Sequence, residues 1–171
     1  MRLFFALWPD GAVRRGLAGW ARSCHAACGG RSLSPENLHV TLAFLGDVKA
    51  ERYSALLQIA DTVRGSGFEL TLDRIEFWRR NRIVCAGAGR VPERLAELAR
   101  NLVFHLEMAG YCVDTRNYVP HVTLLRDVKR APASLEVAPL TWTVSTMTLA
   151  ETLRSNGKLT YRRLQCWTLN E

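Results

Sequence analysis

Two short runs constrain this chain more than any other feature: Leu38-His39-Val40-Thr41-Leu42 and Pro120-His121-Val122-Thr123-Leu124, each built on a His-x-Thr-Leu motif. In a β-strand successive side chains point to opposite faces, so residues i and i+2 share one face. His39 and Thr41 therefore point one way while Val40 and Leu42 point into a core. By the same parity His121 and Thr123 stand opposite Val122 and Leu124. A strand anchored by two apolar side chains holds its imidazole and hydroxyl on a rigid mount. The echo continues in Asp47-Val48 after the first run and Asp127-Val128 after the second. Two copies imply two half-sites, and two strands that must meet at one cleft.

The remaining chain reads as strands and helices in alternation. Residues 2–8 are an aromatic-rich strand cut by Pro9-Asp10-Gly11, and Val13, Leu17, Trp20, Ala21 and Cys24 recur at helical spacing up to Gly29-Gly30. Residues 31–37 read as loop, and 38–45 as the first motif strand. Tyr53, Leu56, Leu57, Ala60 and Val63 mark a second helix, and residues 68–75 alternate as one strand with a wet face. After the basic turn Arg79-Arg80-Asn81-Arg82 come a short strand at 83–88 and the clearest helix, with Leu95, Leu98, Ala99, Leu102, Val103 and Leu106 on one face up to Gly110. The second motif strand spans 118–125, residues 132–139 form a linker, and 141–149 and 159–169 are closing strands.

This order predicts an α+β fold with two lobes: two antiparallel β-sheets backed by helices, and a central cleft carrying one His-x-Thr-x motif from each lobe. With 171 residues and 48% apolar content, residues 1–171 are expected to form a single two-lobed domain.

Composition narrows the partners. A net charge of +7 favours a polyanion, either nucleic acid or acidic lipid. Five scattered cysteines, an odd number, fit reduced thiols and a cytoplasmic location. The apolar opening Leu3 to Trp8 is too short for a signal segment, and no stretch approaches the ~18 apolar residues of a membrane span. Cys24, His25 and Cys28 crowd three potential ligands into five residues without the second half of a zinc site, so no metal centre is expected. His105 borders its helix's apolar stripe as a packing residue.

The paired motif suits phosphoryl transfer, in which attacking and leaving oxygens lie in line across phosphorus. One neutral imidazole takes a proton from the nucleophile, and one protonated imidazole gives a proton to the leaving oxygen. Histidine suits both roles because its ordinary pKa of about 6.5 allows both forms near neutrality. The two threonine hydroxyls would donate to non-bridging oxygens. The scheme requires no metal or cofactor.

The chain resembles the two-histidine phosphoesterase superfamily, and in particular the RNA 2′,3′-cyclic phosphodiesterases, formerly called 2′-5′ RNA ligases. The residues that carry the likeness are Arg2 to Pro9, Asn37 to Gly46, Pro120 to Arg126, and Leu149-x-Glu151-Thr152-Leu153 followed by Gly157 and Tyr161. The resemblance implies a bilobed α+β fold and metal-independent hydrolysis of a terminal 2′,3′-cyclic phosphate to a 2′-phosphate. It assigns His39 as proton donor to the 3′ oxygen, His121 as proton acceptor from water, and Thr41 and Thr123 as phosphate-binding hydroxyls. It implies RNA with cyclic phosphate ends as the partner, tRNA fragments included, with a monomer as the working form and reverse 2′-5′ ligation when a 5′-hydroxyl replaces water. Glu151-Thr152 departs mildly from the family, in which serine often follows the acid.

Some residues divide. The family often has an arginine where Arg126 stands, yet strict alternation puts Arg126 on the Val122 and Leu124 face; it reaches the phosphate only if the strand ends or bulges first. Trp8, Trp78, Tyr118 and Tyr161 could stack on a terminal base, with Tyr118 the best placed because it adjoins the second motif. Arg79, Arg80 and Arg82 could contact RNA phosphates or form a solvated turn. Two other functions compete with the first: a nucleotide or RNA-end binding module without turnover, and a phosphodiesterase for small cyclic nucleotides or oligoadenylates. A binding module needs no matched acid and base, so four intact His and Thr positions argue for the enzyme.

Overall fold

The computed structural model describes residues 1–63, 65–113, 118–132, 135–155 and 158–169. β1 (Arg2–Leu7) is an almost wholly buried strand, and α1 (Gly11–Cys28) follows it. Asp10 caps that helix, its carboxylate accepting from the Val13 amide at 2.9 Å. Then come β2 (Arg31–Ser32), a 3₁₀ turn at Pro35–Asn37, β3 (Val40–Asp47) and α2 (Tyr53–Thr62). The middle of the chain gives β4 (Phe68–Leu72), β5 (Arg74–Trp78), β6 (Ile83–Gly87) and α3 (Glu93–Met108). The last elements are β7 (His121–Arg126), β8 (Leu140–Val144), β9 (Thr146–Ser155) and β10 (Lys158–Thr168).

The strands form two antiparallel sheets. The larger runs β10-β9-β1-β3-β7-β6-β5 with β2 paired to β7, and β4 pairs with β8 in the smaller. Both motif strands lie in the larger sheet as neighbours, joined through a single residue pair, Val40 with Val122. The cleft therefore divides two halves of one sheet rather than one sheet from another. This arrangement lets both motif strands share one core: Val40, Leu42, Val122 and Leu124 all belong to a continuous buried cluster with Leu3, Phe5 and Leu7 of β1. Fully burying an aliphatic side chain contributes about 1.5–3 kcal/mol, so the cluster fixes which face the histidines take. Behind the sheet, α1 packs on β7 and α3 on β3.

Two expected strands are each split. Residues 68–75 become β4 and the start of β5, and residues 141–149 become β8 and the start of β9, and in both cases the pieces belong to different sheets. Alternation survives a change of sheet, so pattern alone does not reveal it. At the first switch the Asp73 carboxylate accepts from the Gly89 amide at 2.7 Å while the Asp73 amide donates to Gly87 O at 3.1 Å. At the second, Ser145 O accepts from the Leu169 amide at 2.8 Å. The expected loop at 31–37 holds β2 and the 3₁₀ turn, β3 starts at Val40 rather than at Leu38 and runs on to Asp47, and β7 starts at His121 rather than at Tyr118. Gly157 and part of the linker at 132–139 lie outside the described residues. Among the described residues no helix is long and apolar enough to cross a membrane.

Candidate active site

The two motif strands share a local device that the sequence pattern hides. On β7, Thr123 pairs with Cys85 and Leu125 with Val84, so Leu124 is an extra residue: a β-bulge. On β3, Thr41 pairs with Ala6 and Ala43 with Phe5, so Leu42 is extra at the same position of its motif. A bulge reverses the parity of everything after it. Leu125 joins Leu124 in the core, both wholly buried, and Arg126 turns to the histidine face. In β3 the same step buries Ala43 and turns Phe44 outward at the pocket edge. The conflict over Arg126 is resolved by the bulge.

One pocket of about 180 Å³ gathers His39, Thr41, His121, Thr123 and Arg126. Phe4, Asn37 and Phe44 complete the wall on the β3 side, and Thr152 and its register partner Tyr161 close it from β9 and β10. Glu151 braces that pair of strands by accepting from Arg162 at 2.6 Å.

Each histidine is oriented by the carbonyl two residues before it. His39 Nδ1 lies 2.7 Å from Asn37 O, and His121 Nδ1 lies 2.9 Å from Val119 O. A carbonyl oxygen only accepts, so Nδ1 carries the hydrogen in both rings and Nε2 is left to exchange a proton. Asn37 is fixed in turn, its side-chain amide donating to Leu159 O at 3.0 Å.

The surroundings of the two rings differ. His39 sits in an aromatic box: Trp8 stacks on it at 4.9 Å, Phe4 lies at 5.1 Å, and Tyr161 meets it edge-on at 4.9 Å. Desolvation by this box is the main cause that lowers the His39 pKa from 6.5 to about 4; the Asn37 hydrogen bond opposes it, and His121 and Arg126 add to it by charge. His121 is also lowered, first by desolvation and then by Arg126, against the raising influence of the Val119 hydrogen bond and the Glu76 carboxylate. Trp78 covers His121 at 4.3 Å between ring centroids.

Of the four aromatic residues considered for base stacking, Trp8, Tyr161 and Trp78 pack against the histidines instead. Tyr118 is not brought to the pocket; its ring packs on the core, and burial raises its hydroxyl pKa. Tyr118 precedes β7, so the alternation that aims His121 and Thr123 at the pocket does not extend to it. Arg79, Arg80, Asn81 and Arg82 form an exposed turn directly after Trp78. Cys24 and Cys28 are buried along α1, and no cluster of potential metal ligands occurs among the described residues. Sequence reasoning missed Phe4, Asn37 and Phe44. Phe44 had a signal available, since it stands five residues after His39 as Arg126 stands five after His121.

Fold and pocket together describe a phosphoesterase. A profile of the LigT-like phosphoesterases matches residues 7–85. The chain is 35% identical to an RNA 2′,3′-cyclic phosphodiesterase of Escherichia coli, covering 99% of this chain and 97% of that protein. It is 27% identical to a protein of the same name from Archaeoglobus fulgidus, over 80% of this chain and 78% of the relative. The crystal structure of Escherichia coli LigT complexed with 3′-AMP superposes with a TM-score of 0.93 at 34% identity, covering 99% of this chain and 98% of that one. The chain belongs to the LigT-like phosphoesterase family.

Proposed function

We propose that this protein hydrolyses the terminal 2′,3′-cyclic phosphate of RNA to a 2′-phosphate, with the two histidines as acid and base. The observation that carries the reading is the convergence of His39, His121, Thr41, Thr123 and Arg126 on one pocket. Water attacks phosphorus as His121 Nε2 takes its proton; the bond from phosphorus to the 3′ oxygen breaks as His39 Nε2 donates to that oxygen. Thr41 and Thr123 donate to the non-bridging oxygens, and Arg126 offsets their charge.

Desolvation depresses both rings in the free protein, so on this division His39 must gain its proton on binding the phosphate. Low proton affinity makes His39, once charged, the stronger acid, whereas Glu76 favours the proton that His121 must accept. The negative phosphate and the π-faces of Trp8 and Phe4 act against desolvation and help His39 hold its proton in the complex. A 5′-hydroxyl in place of water would run the same steps toward 2′-5′ ligation. On this reading residues 1–171 work as one two-lobed domain, a cytoplasmic monomer acting on RNA ends such as those of tRNA fragments. Free thiols at all five cysteines fit that compartment.

The test is to incubate the protein, in chelator, with an oligoribonucleotide ending in a 2′,3′-cyclic phosphate and to map the product. A 2′-phosphate is expected. A 3′-phosphate, or turnover that depends on added metal, would overturn the mechanism. Tight binding without turnover would return the protein to the binding modules, and competition by RNA against a small cyclic nucleotide ranks the two substrate classes.

A further inference from the structure

His121 is braced from beyond its own strand. On β5, Glu76 and Trp78 alternate onto one face, and the Trp78 indole Nε1 donates to Glu76 Oε2 at 2.9 Å. The Trp78 ring lies 4.3 Å from that of His121, tilted by 52°. Between them runs β6, where the register partner of His121 is Gly87. A Cβ added at Gly87 would come within 2.9 Å of Glu76 Oε1 and 3.3 Å of Arg74 Cγ, so the bare glycine leaves the space that the carboxylate fills. Cys85, wholly buried beside it, donates from Sγ to Glu76 O at 3.7 Å. A carboxylate thus reaches across an intervening strand toward the histidine.

We propose that Glu76 is a positioning residue for His121, acting through the Trp78 indole that it holds against the imidazole. Several groups face His121. Glu76 on β5 raises its proton affinity, Arg126 on β7 lowers it, and His39 approaches from the residue before β3. The Cys85 thiol on β6 is pushed up to about 12 and stays neutral. Glu76 is therefore the acidic group set against Arg126 and desolvation. As His121 takes a proton from water it becomes a cation under the indole face, and Glu76 stabilises the charge that forms. A neutral amide at position 76 would keep the hydrogen bond and lose this effect.

The consequence for rate rests on the proposed phosphodiesterase reading, whereas the ionisation of His121 in the free protein does not. The experiment is an NMR titration of the histidine ring protons of the full chain, with His121 assigned by its loss in His121→Gln, alongside pH–rate profiles. In Glu76→Gln the His121 midpoint should move downward while that of His39 stays put. The acid limb of kcat should move the same way, with the plateau about 3- to 10-fold lower and KM little changed. Gly87→Ala, which displaces the carboxylate, should move the His121 midpoint in the same direction. Trp78→Phe, which keeps a ring but frees Glu76, should give a smaller shift. An unchanged His121 midpoint in Glu76→Gln overturns the proposal. A wild-type protein inert toward the cyclic phosphate, with the Glu76→Gln shift still present, would sink the function and leave the positioning role standing.

Discussion

The half of the larger sheet that carries His39 and the half that carries His121 use the same backbone and different surroundings. Each motif strand has a bulge at its leucine, Leu42 or Leu124, and each histidine ties Nδ1 to the carbonyl two residues earlier. Around those repeats, one ring is boxed by Phe4, Trp8 and Tyr161, while the other lies under Trp78 near Glu76. After the bulges the equivalent positions carry Phe44 on one side and Arg126 on the other. Repeated backbone makes two equivalent mounts; the unrepeated side chains make the two rings unequal. The displacement proposed above takes a proton on one side of phosphorus and gives one on the other, so each ring has its own task.

Breaking either mount should have the largest effect. His39→Ala and His121→Ala are each expected to lower kcat by about 10²- to 10⁴-fold with the far-ultraviolet circular dichroism unchanged, and the double variant should lose little more, because acid and base act as a unit. Loss of fold in both single variants would mean that the rings are structural.

The aromatic box should register in stability next. In the unfolded chain His39 has its ordinary pKa of 6.5, against about 4 when folded. Between those values the unfolded chain binds a proton that the folded chain refuses. Stability present above pH 6.5 is therefore lost as pH falls toward 4, by up to about 3 kcal/mol. His39→Gln should flatten that slope in urea unfolding measured at pH 7 and pH 4.5, and an unchanged slope would show that the box does not desolvate the ring.

The Phe44 and Arg126 pair sharpens the comparison at the pocket edge. Arg126→Met should reduce kcat/KM by roughly 10- to 100-fold through lost charge on the phosphate, and Phe44→Leu by only a few-fold. Equal losses would mean that the two positions serve the same task. The threonines come last: Thr41→Val and Thr123→Val each remove one hydrogen bond to a charged oxygen, about 1.5–3 kcal/mol in the transition state when fully formed and less when water substitutes. A steady-state comparison of the two would show which half holds the phosphate more firmly.

Much of this site was legible in residue order. Thr41, His121 and Thr123 stand on strand faces that period-two alternation assigns, His39 joins them from one residue before β3, and the α+β class followed from strands separated by amphipathic helices. Where alternation ran into a bulge it gave Arg126 the wrong face, because an inserted residue leaves no mark on composition. Tyr118 shows the opposite failure: nearness in sequence to His121 suggested the pocket, yet it lies before β7 begins and its ring packs on the core. The sheet switches after Leu72 and after Val144 were equally silent, since a strand reads the same whichever partner it pairs with.

By itself, then, the sequence determined which side chains each motif strand offers and which it buries, because that depends only on local strand geometry and on the cost of leaving Val40 or Val122 in water. Only the tertiary structure decided that the two strands lie side by side, that both bulge at the same step, and that Trp8, Tyr161, Glu76 and Trp78 arrive to make the histidines unequal. Those decisions depend on pairing between segments far apart in the chain, and the energies that settle them exist only once the core has closed.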